Sequence, residues 1–255
     1  MRAGVLALIV GVSFVLPLRS DLRIRVRDTF ANRSTTRVEY YKDTRSRTDA
    51  SAGGGAYRIV DSANKRILFV DPVKREFWIY TSTSRKPRAD PSRTIVVEVE
   101  GHDTGEQRQI FGYPARHFIT VQRQHTEYTD KPPSETQEIV TDGWYLDVPF
   151  PLPAYRHGIG VYTALVADQY HRDGAPKIKI TRLGSTPKGL PVWQKTGDSL
   201  MEVTEFSEAE LDPKLFEPPV GFRRVIRPMP GDQLPWSDQA LFYWQQLQDW
   251  LVSWF

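Results

Sequence analysis

A chain of 255 residues with 40% hydrophobic and 25% charged side chains can bury a sizeable core, which excludes a long disordered protein. It has no cysteine, which excludes structural disulfides, thiolate metal sites and a cysteine nucleophile. The net charge is only +3 but is unevenly spread, with 18 Lys and Arg against 9 Asp and Glu between residues 19 and 93. These basic residues are dispersed along predicted strands, so they read as solvated sheet faces rather than as a grip on an acidic partner.

Residues 1–20 open with Arg2, followed by an uncharged apolar run from Ala3 to Leu18 and then polar residues. That order predicts a secretory signal peptide, and the run is shorter than the ~20 residues of a spanning helix. A mature chain would begin near Asp21, and the expected location is the periplasm or the cell envelope. No A-x-A cleavage pattern precedes Ser20 or Asp21, so an uncleaved anchor and a buried segment stay open as alternatives.

Strand patterns follow directly. "LRIRVR" alternates Leu22, Ile24 and Val26 with Arg23, Arg25 and Arg27, and "TTRVEYYKD" places Thr36, Val38 and Tyr40 on one face. After a flexible "SAGGGA" loop, "YRIVDSANKRILFVDPVKREFWIYT" reads as three short strands joined by turns at 61–65 and 71–75, the second preset by Asp-Pro. Further strands are expected at "RTIVVEVE", "QRQIFGYPARHFITVQRQ" and "TQEIVTDGWYLD". The proline-rich "PFPLPAYRHG" leads into the one internal helix candidate, "GIGVYTALVADQYHR". Strands resume at "PKIKITRLG", "LPVWQKTG" and "SLMEVTEFSE" before "LDPKLFEPPVGFRRV".

The chain closes with the linker "IRPMPGDQLPW" and then "SDQALFYWQQLQDWLVSWF". At 100° per residue, Trp244, Leu247, Trp250, Leu251, Trp254 and Phe255 fall in one apolar arc of a helix, with Gln245, Gln246 and Asp249 opposite. Two occupants of that arc stand open: the protein's own sheet, or a membrane surface or envelope partner.

Motifs for chemistry are weak. "GDSL" at Gly197–Leu200 is the string of a serine hydrolase family, but no histidine follows Ser199 to take its proton, and a strand does. The five histidines show no metal-ligand spacing, and "SAGGGAY" lacks the Gly-Lys-Ser/Thr of a phosphate loop. Basic residues interleave with aromatics in "VEYYKDTRSR", yet no RNA-binding motif accompanies them. The expectation is therefore no catalytic residue, no metal, no cofactor and no nucleic-acid partner.

Several segments, taken in order, carry a resemblance: "YYKDTRSRTD", "ILFVDPVKREFWIY", "IFGYPARHFIT", "WYLD", "GLPV" and "LFEPPVGFRRV". Over residues 21–226 the chain resembles uncharacterised secreted bacterial proteins related in fold to the periplasmic lipoprotein carriers (LolA/LolB-like). The resemblance implies a mainly β fold: a strongly curved antiparallel sheet, an incomplete barrel, with a helix covering its concave side. It also implies an apolar concavity for an acyl or other apolar ligand. Leu22, Ile24, Val26, Val38 and Tyr40 are the candidate lining residues, with Arg23, Arg25 and Arg27 turned to water. The expected organisation is a signal peptide over 1–20, the half-barrel over 21–226, and a linker with the amphipathic aromatic helix over 227–255. The function so expected is an exported, non-enzymatic binding module for an apolar or lipid-like ligand. The alternative is a docking subunit at a membrane surface.

Overall fold

Alternating side chains punctuated by tight turns build this protein from its first hairpin onward. The structure is a computed structural model that describes residues 21–50, 55–81, 89–148, 175–185 and 187–227. Strand β1 (Leu22–Phe30) turns through Ala31 and Asn32 into β2 (Arg33–Lys42). Both turn residues have positive φ, 46° and 66°, the two-residue geometry whose twist matches that of the flanking strands. The run continues through β3 (Arg45–Ala50), β4 (Tyr57–Asp61), β5 (Arg66–Asp71) and β6 (Glu76–Thr81). Asp61 fastens the β4–β5 turn by accepting from the Asn64 backbone N–H (3.0 Å), the Asn64 amide (2.8 Å) and Arg66 Nε (3.1 Å).

The second half supplies β7 (Ala89–Ile110), β8 (Tyr113–Tyr128), β9 (Gln137–Leu146), β10 (Ala175–Gly184), β11 (Leu190–Thr196), β12 (Ser199–Glu208) and the two-residue β13 (Arg223–Arg224). All belong to one 13-stranded sheet in the order β10-β7-β8-β9-β11-β12-β1-β2-β3-β4-β5-β6-β13. The two halves join where β12 pairs with β1. Bulges leave Thr204 of β12 and Val192 of β11 without a cross-strand partner, and such insertions bend and twist a strand. The sheet coils accordingly: the Tyr113 hydroxyl at the start of β8 donates to Glu208 at the end of β12, although two strands separate theirs in the sheet.

Apolar side chains fill both faces. One cluster unites Leu22, Ile24 and Val26 with Tyr41, Ala115, Leu146, Leu190, Val192 and Val203. On the opposite face Ile59, Leu68 and Val70 pack against Leu211 and Phe216 from the segment after β12, with Tyr40, Tyr57 and Phe222 at their rim. That segment contains a short 3-10 turn (Pro213–Phe216) capped by Asp212, whose side chain accepts from the Lys214 N–H. Asp21 secures its start, accepting from the buried Leu211 N–H (2.8 Å) and from Lys42 Nζ (2.5 Å).

The mainly β expectation stands, but the expected helical cover does not. Among the described residues there is no α-helix, and the sheet is closed over by its own coil and by residues 211–222. The helix candidates at 158–172 and 237–255, with Trp244, Leu247, Trp250, Leu251, Trp254 and Phe255, lie outside the described residues, as does the N-terminal run. No helix among the described residues is long and apolar enough to cross a membrane. Nor is the sheet wholly antiparallel, because β10 runs parallel to β7 and β13 parallel to β6. Neither parallel pairing is visible as a local pattern, since each joins segments far apart in the chain.

Candidate functional site

The five candidate lining residues divide between the two faces. Cross-strand partners share a face, and the β1–β2 register pairs Leu22 with Tyr41 and Arg23 with Tyr40. Tyr40 and Val38 therefore stand on the face of Arg23 and Arg25, opposite to Leu22, Ile24 and Val26. The physical reason is the two-residue turn, which pairs even-numbered residues of β1 with odd-numbered residues of β2. Leu22, Ile24 and Val26 are 1–2% exposed and pack the core. Tyr40 sits beside Arg47, whose guanidinium lies 3.8 Å from the Tyr57 ring and donates to the Leu215 carbonyl. That side of the sheet is thus occupied by the chain itself.

The arginines of β1 find partners on β12. Arg25 Nε lies 2.8 Å from Glu205, Arg23 3.4 Å from the same carboxylate, and Arg27 3.9 Å from Glu202. The hydrogen bond from Arg25 leads the causes that hold the Glu205 carboxyl below its ordinary pKa. Solvent screens exposed pairs of this kind, so they add little to stability. They account for the basic stripe without an outside partner.

Three polar constellations remain. Ser199 lines a cavity of about 560 Å³ at the β1–β2 and β11–β12 turns, with Thr29, Asn32, Trp193, Lys195 and Asp198. No histidine lines it, and among the described residues neither Lys195 nor Asp198 hydrogen-bonds the Ser199 hydroxyl.

A hydroxyl–imidazole–carboxylate chain that sequence spacing did not signal lies elsewhere. Thr104 Oγ1 is 3.0 Å from His117 Nδ1, and His117 Nε2 is 2.5 Å from Asp142 Oδ1, with the imidazole stacked on Trp144 at 4.8 Å. These are residue types of nucleophilic catalysis. Here, however, the Thr104 hydroxyl also accepts from the Glu106 N–H and reaches the His117 carbonyl. The adjacent Gly105 N–H is taken by Asp103 at 2.9 Å. The hydroxyl is locked into a bulge, and the nearby amides that would stabilise an oxyanion are spent. The arrangement fixes β7 to β8 and β9.

The third constellation is a cleft of about 480 Å³ over β7–β8–β9, lined by Asp103, Arg116, Phe118, Tyr145, Asp147 and the loop residues Ser185 and Lys188. Phe118 meets Tyr145 edge-on, with centroids 5.7 Å apart. The Tyr145 ring lies over Gly143, where a Cβ would stand 2.8 Å from its Cε2. The Ser185 carbonyl similarly occupies the place a Cβ would take on Gly101, and the Ser185 N–H donates to the Gly101 carbonyl at 2.8 Å. Two bare backbones thus admit the ring and the loop that shape the cleft. Burial pushes the Tyr145 phenol pKa above its ordinary value, so the ring hydroxyl is neutral at physiological pH. Arg116 lies 3.7 Å from Asp103, whereas Asp147 and Lys188, both exposed, have no ion-pair partner among the described residues. No cluster of His, Asp or Glu suited to a metal is present among the described residues.

Comparison with known proteins adds little to this geometry. No family model and no curated protein matches the chain. The fold is similar to a solved structure of PNGF-II, with 11% identity and a TM-score of 0.39, over 88% of this chain and 33% of that one. The chain spans about a third of that neighbour's length, and a likeness at this level carries no functional argument.

The same face extends beyond the cleft along β7 and β10. Ile95, Val97, Val99, Gly101 and Asp103 alternate onto it from β7, and the parallel register sets Ile178 beside Ile95 and Ile180 beside Val97. Ile178 and Ile180 are 48% and 50% exposed. The sequence carried signs of this region in its strand glycines Gly101 and Gly143, but not the pairing that assembles it.

Proposed function

We propose that this chain is an exported, non-enzymatic binding module that handles an apolar or lipid-like ligand in the cell envelope. The observation that carries the reading is the row of aliphatics on the cleft face of β7 and β10. Ile178 and Ile180 are half exposed on the last strand of the sheet, beside half-buried Ile95 and Val97. Leaving large apolar side chains in water forgoes up to ~1.5–3 kcal/mol each, a cost that an apolar ligand relieves. The ligand-contacting surface so proposed is this row, and not Leu22, Ile24 and Val26, which are already buried in the core.

Export is supported by the Arg2-plus-apolar opening of the sequence, and apolar-ligand handling by the resemblance to lipoprotein carriers. The non-enzymatic reading is supported by the locked Thr104 hydroxyl and by a Ser199 hydroxyl that no histidine approaches. The test is titration of the full-length protein with a fluorescent fatty acid, comparing wild type with Ile180→Asp. Saturable binding that Ile180→Asp weakens is expected. Absence of saturable binding to the wild type contradicts the reading.

A further inference from the structure

Two turns of this sheet lift a valine into water. Val220 is 98% exposed and Val73 87%, the two highest values among the large apolar side chains of the described residues. The turns are built alike. In one, Pro72 precedes Val73 and the Arg75 N–H donates to the Pro72 carbonyl at 3.4 Å. In the other, Pro219 precedes Val220 and the Phe222 N–H donates to the Pro219 carbonyl at 3.4 Å. Gly221, with φ of 76°, supplies the left-handed third position that such a turn requires.

The parallel pairing of β13 with β6 brings the two together. Each turn directly precedes its strand, and the register sets Arg223 beside Glu76, so both turns stand at the same end of the sheet. The Arg223 N–H donates to the Arg75 carbonyl at 2.9 Å, and a Cβ on Gly221 would stand 3.2 Å from the Arg75 guanidinium. Phe77 and Phe222 pack against the second apolar cluster and brace the turns from below. The tips themselves carry aliphatic side chains where turns ordinarily carry Gly, Asn, Asp or Ser.

The surrounding charge is cationic. Lys74 and Arg75 are exposed and have no ion-pair partner among the described residues. Glu76 is shared by Arg223 at 2.5 Å and Arg227 at 3.3 Å. The Asp71 carboxylate takes the Lys74 N–H at 3.0 Å. Counting Arg224 and Glu217 as well, five cations stand against three acids, a local charge of +2.

We propose that these paired turns dock the protein on an anionic phospholipid bilayer, with Val73 and Val220 entering the headgroup–acyl boundary and the cations resting on its phosphates. Shape and charge choose this partner. A bilayer interface parts to admit two small apolar tips, whereas a protein would have to offer a pit for each. Two valines alone make only a weak contact, and stable attachment to a membrane surface takes a second signal, here the basic residues beside them. The surface is separate from the ligand row, because β10 and β13 are the opposite ends of the strand order.

The chain has no cysteine, so Val220→Cys gives the full-length protein a single site for a polarity-sensitive fluorophore. Vesicles of phosphatidylcholine, and vesicles that also contain phosphatidylglycerol, are the probes. The label is expected to shift to the blue on phosphatidylglycerol vesicles only, and to be quenched there by a nitroxide on the lipid acyl chain. In sedimentation of unlabelled protein, Val73→Asp combined with Val220→Asp should lower partitioning at least roughly tenfold. Lys74→Glu combined with Arg75→Glu should abolish the preference for phosphatidylglycerol. All four positions are exposed, and an unchanged melting temperature shows each variant to be folded. An equal blue shift on both kinds of vesicle overturns the anionic assignment. A label that stays in water while the protein sediments with vesicles shows that another segment makes the contact, and overturns the proposal. Wild-type protein that binds neither vesicle, or a double valine variant that sediments like wild type, overturns it as well.

Discussion

Gln194 donates from Nε2 to the Tyr145 hydroxyl oxygen over 2.9 Å, across the boundary between β11 and β9. The bond ties the floor of the cleft to a neighbouring strand and orients the phenol. Tyr145→Phe is expected to leave the Gln194 amide without its acceptor and lower stability by about 1 kcal/mol. In a chemical denaturation experiment that appears as a lower midpoint with an unchanged slope.

The two aliphatic populations of this sheet should answer truncation differently. Ile24 is 2% exposed in the first cluster, and Ile24→Ala should cost about 2–5 kcal/mol of stability, the range for emptying a packed site. Ile180 is 50% exposed, and Ile180→Ala should stay within ~0.5 kcal/mol of wild type. Thermal melts of the two variants check this directly. The same pair separates core from ligand surface, because only Ile180→Ala should weaken fatty-acid binding in a folded protein.

How much of this was readable in the sequence differs from strand to strand. The alternation in "LRIRVR" identifies Leu22, Ile24 and Val26 as one buried set, because the opposite positions are arginines. The phase of β2 against β1 is harder, since Tyr40 and Tyr41 are adjacent aromatics and each face of the sheet offers one of them an apolar cluster. The two-residue turn at Ala31–Asn32 resolves the phase, and it is the backbone conformation, more than composition, that reveals it. The cleft was not legible, because it depends on the pairing of β10 with β7 and on the loop held against Gly101. Local periodicity says nothing about which distant strand lies alongside. The His117–Asp142 contact was hidden for the same reason, being a relation between two neighbouring strands.

Acid should find a weak point at the β4–β5 turn. Burial works against the Asp61 carboxylate, but the hydrogen bonds from Asn64 and the charge and hydrogen bond of Arg66 outweigh it and hold its pKa below the ordinary 3.8. The unfolded chain therefore takes up this proton at a higher pH than the folded one does. The stability Asp61 contributes is present above the unfolded pKa and is lost as pH falls through the lower folded value. Asp61→Asn should flatten the decline of stability with acid below about pH 4. Denaturation midpoints measured across that interval check it, and a decline identical to wild type would contradict it.

Ser199 should prove chemically quiet. It follows the Gly197–Asp198 turn and no histidine lines its cavity, so Ser199→Ala should leave ligand binding and stability within ~0.5 kcal/mol of wild type. A fluorophosphonate probe should label neither protein. Labelling of wild type that the variant loses would reveal an activated serine.

The most direct measurement of the central claim is native mass spectrometry of the full-length protein recovered from its own cell envelope, with lipid extraction of the same sample. The account predicts a bound species of one acyl-chain amphiphile per chain, depleted in Ile180→Asp protein of unchanged melting temperature. Wild-type protein that emerges from the envelope fraction free of any acyl species, and takes up none when offered, would contradict it.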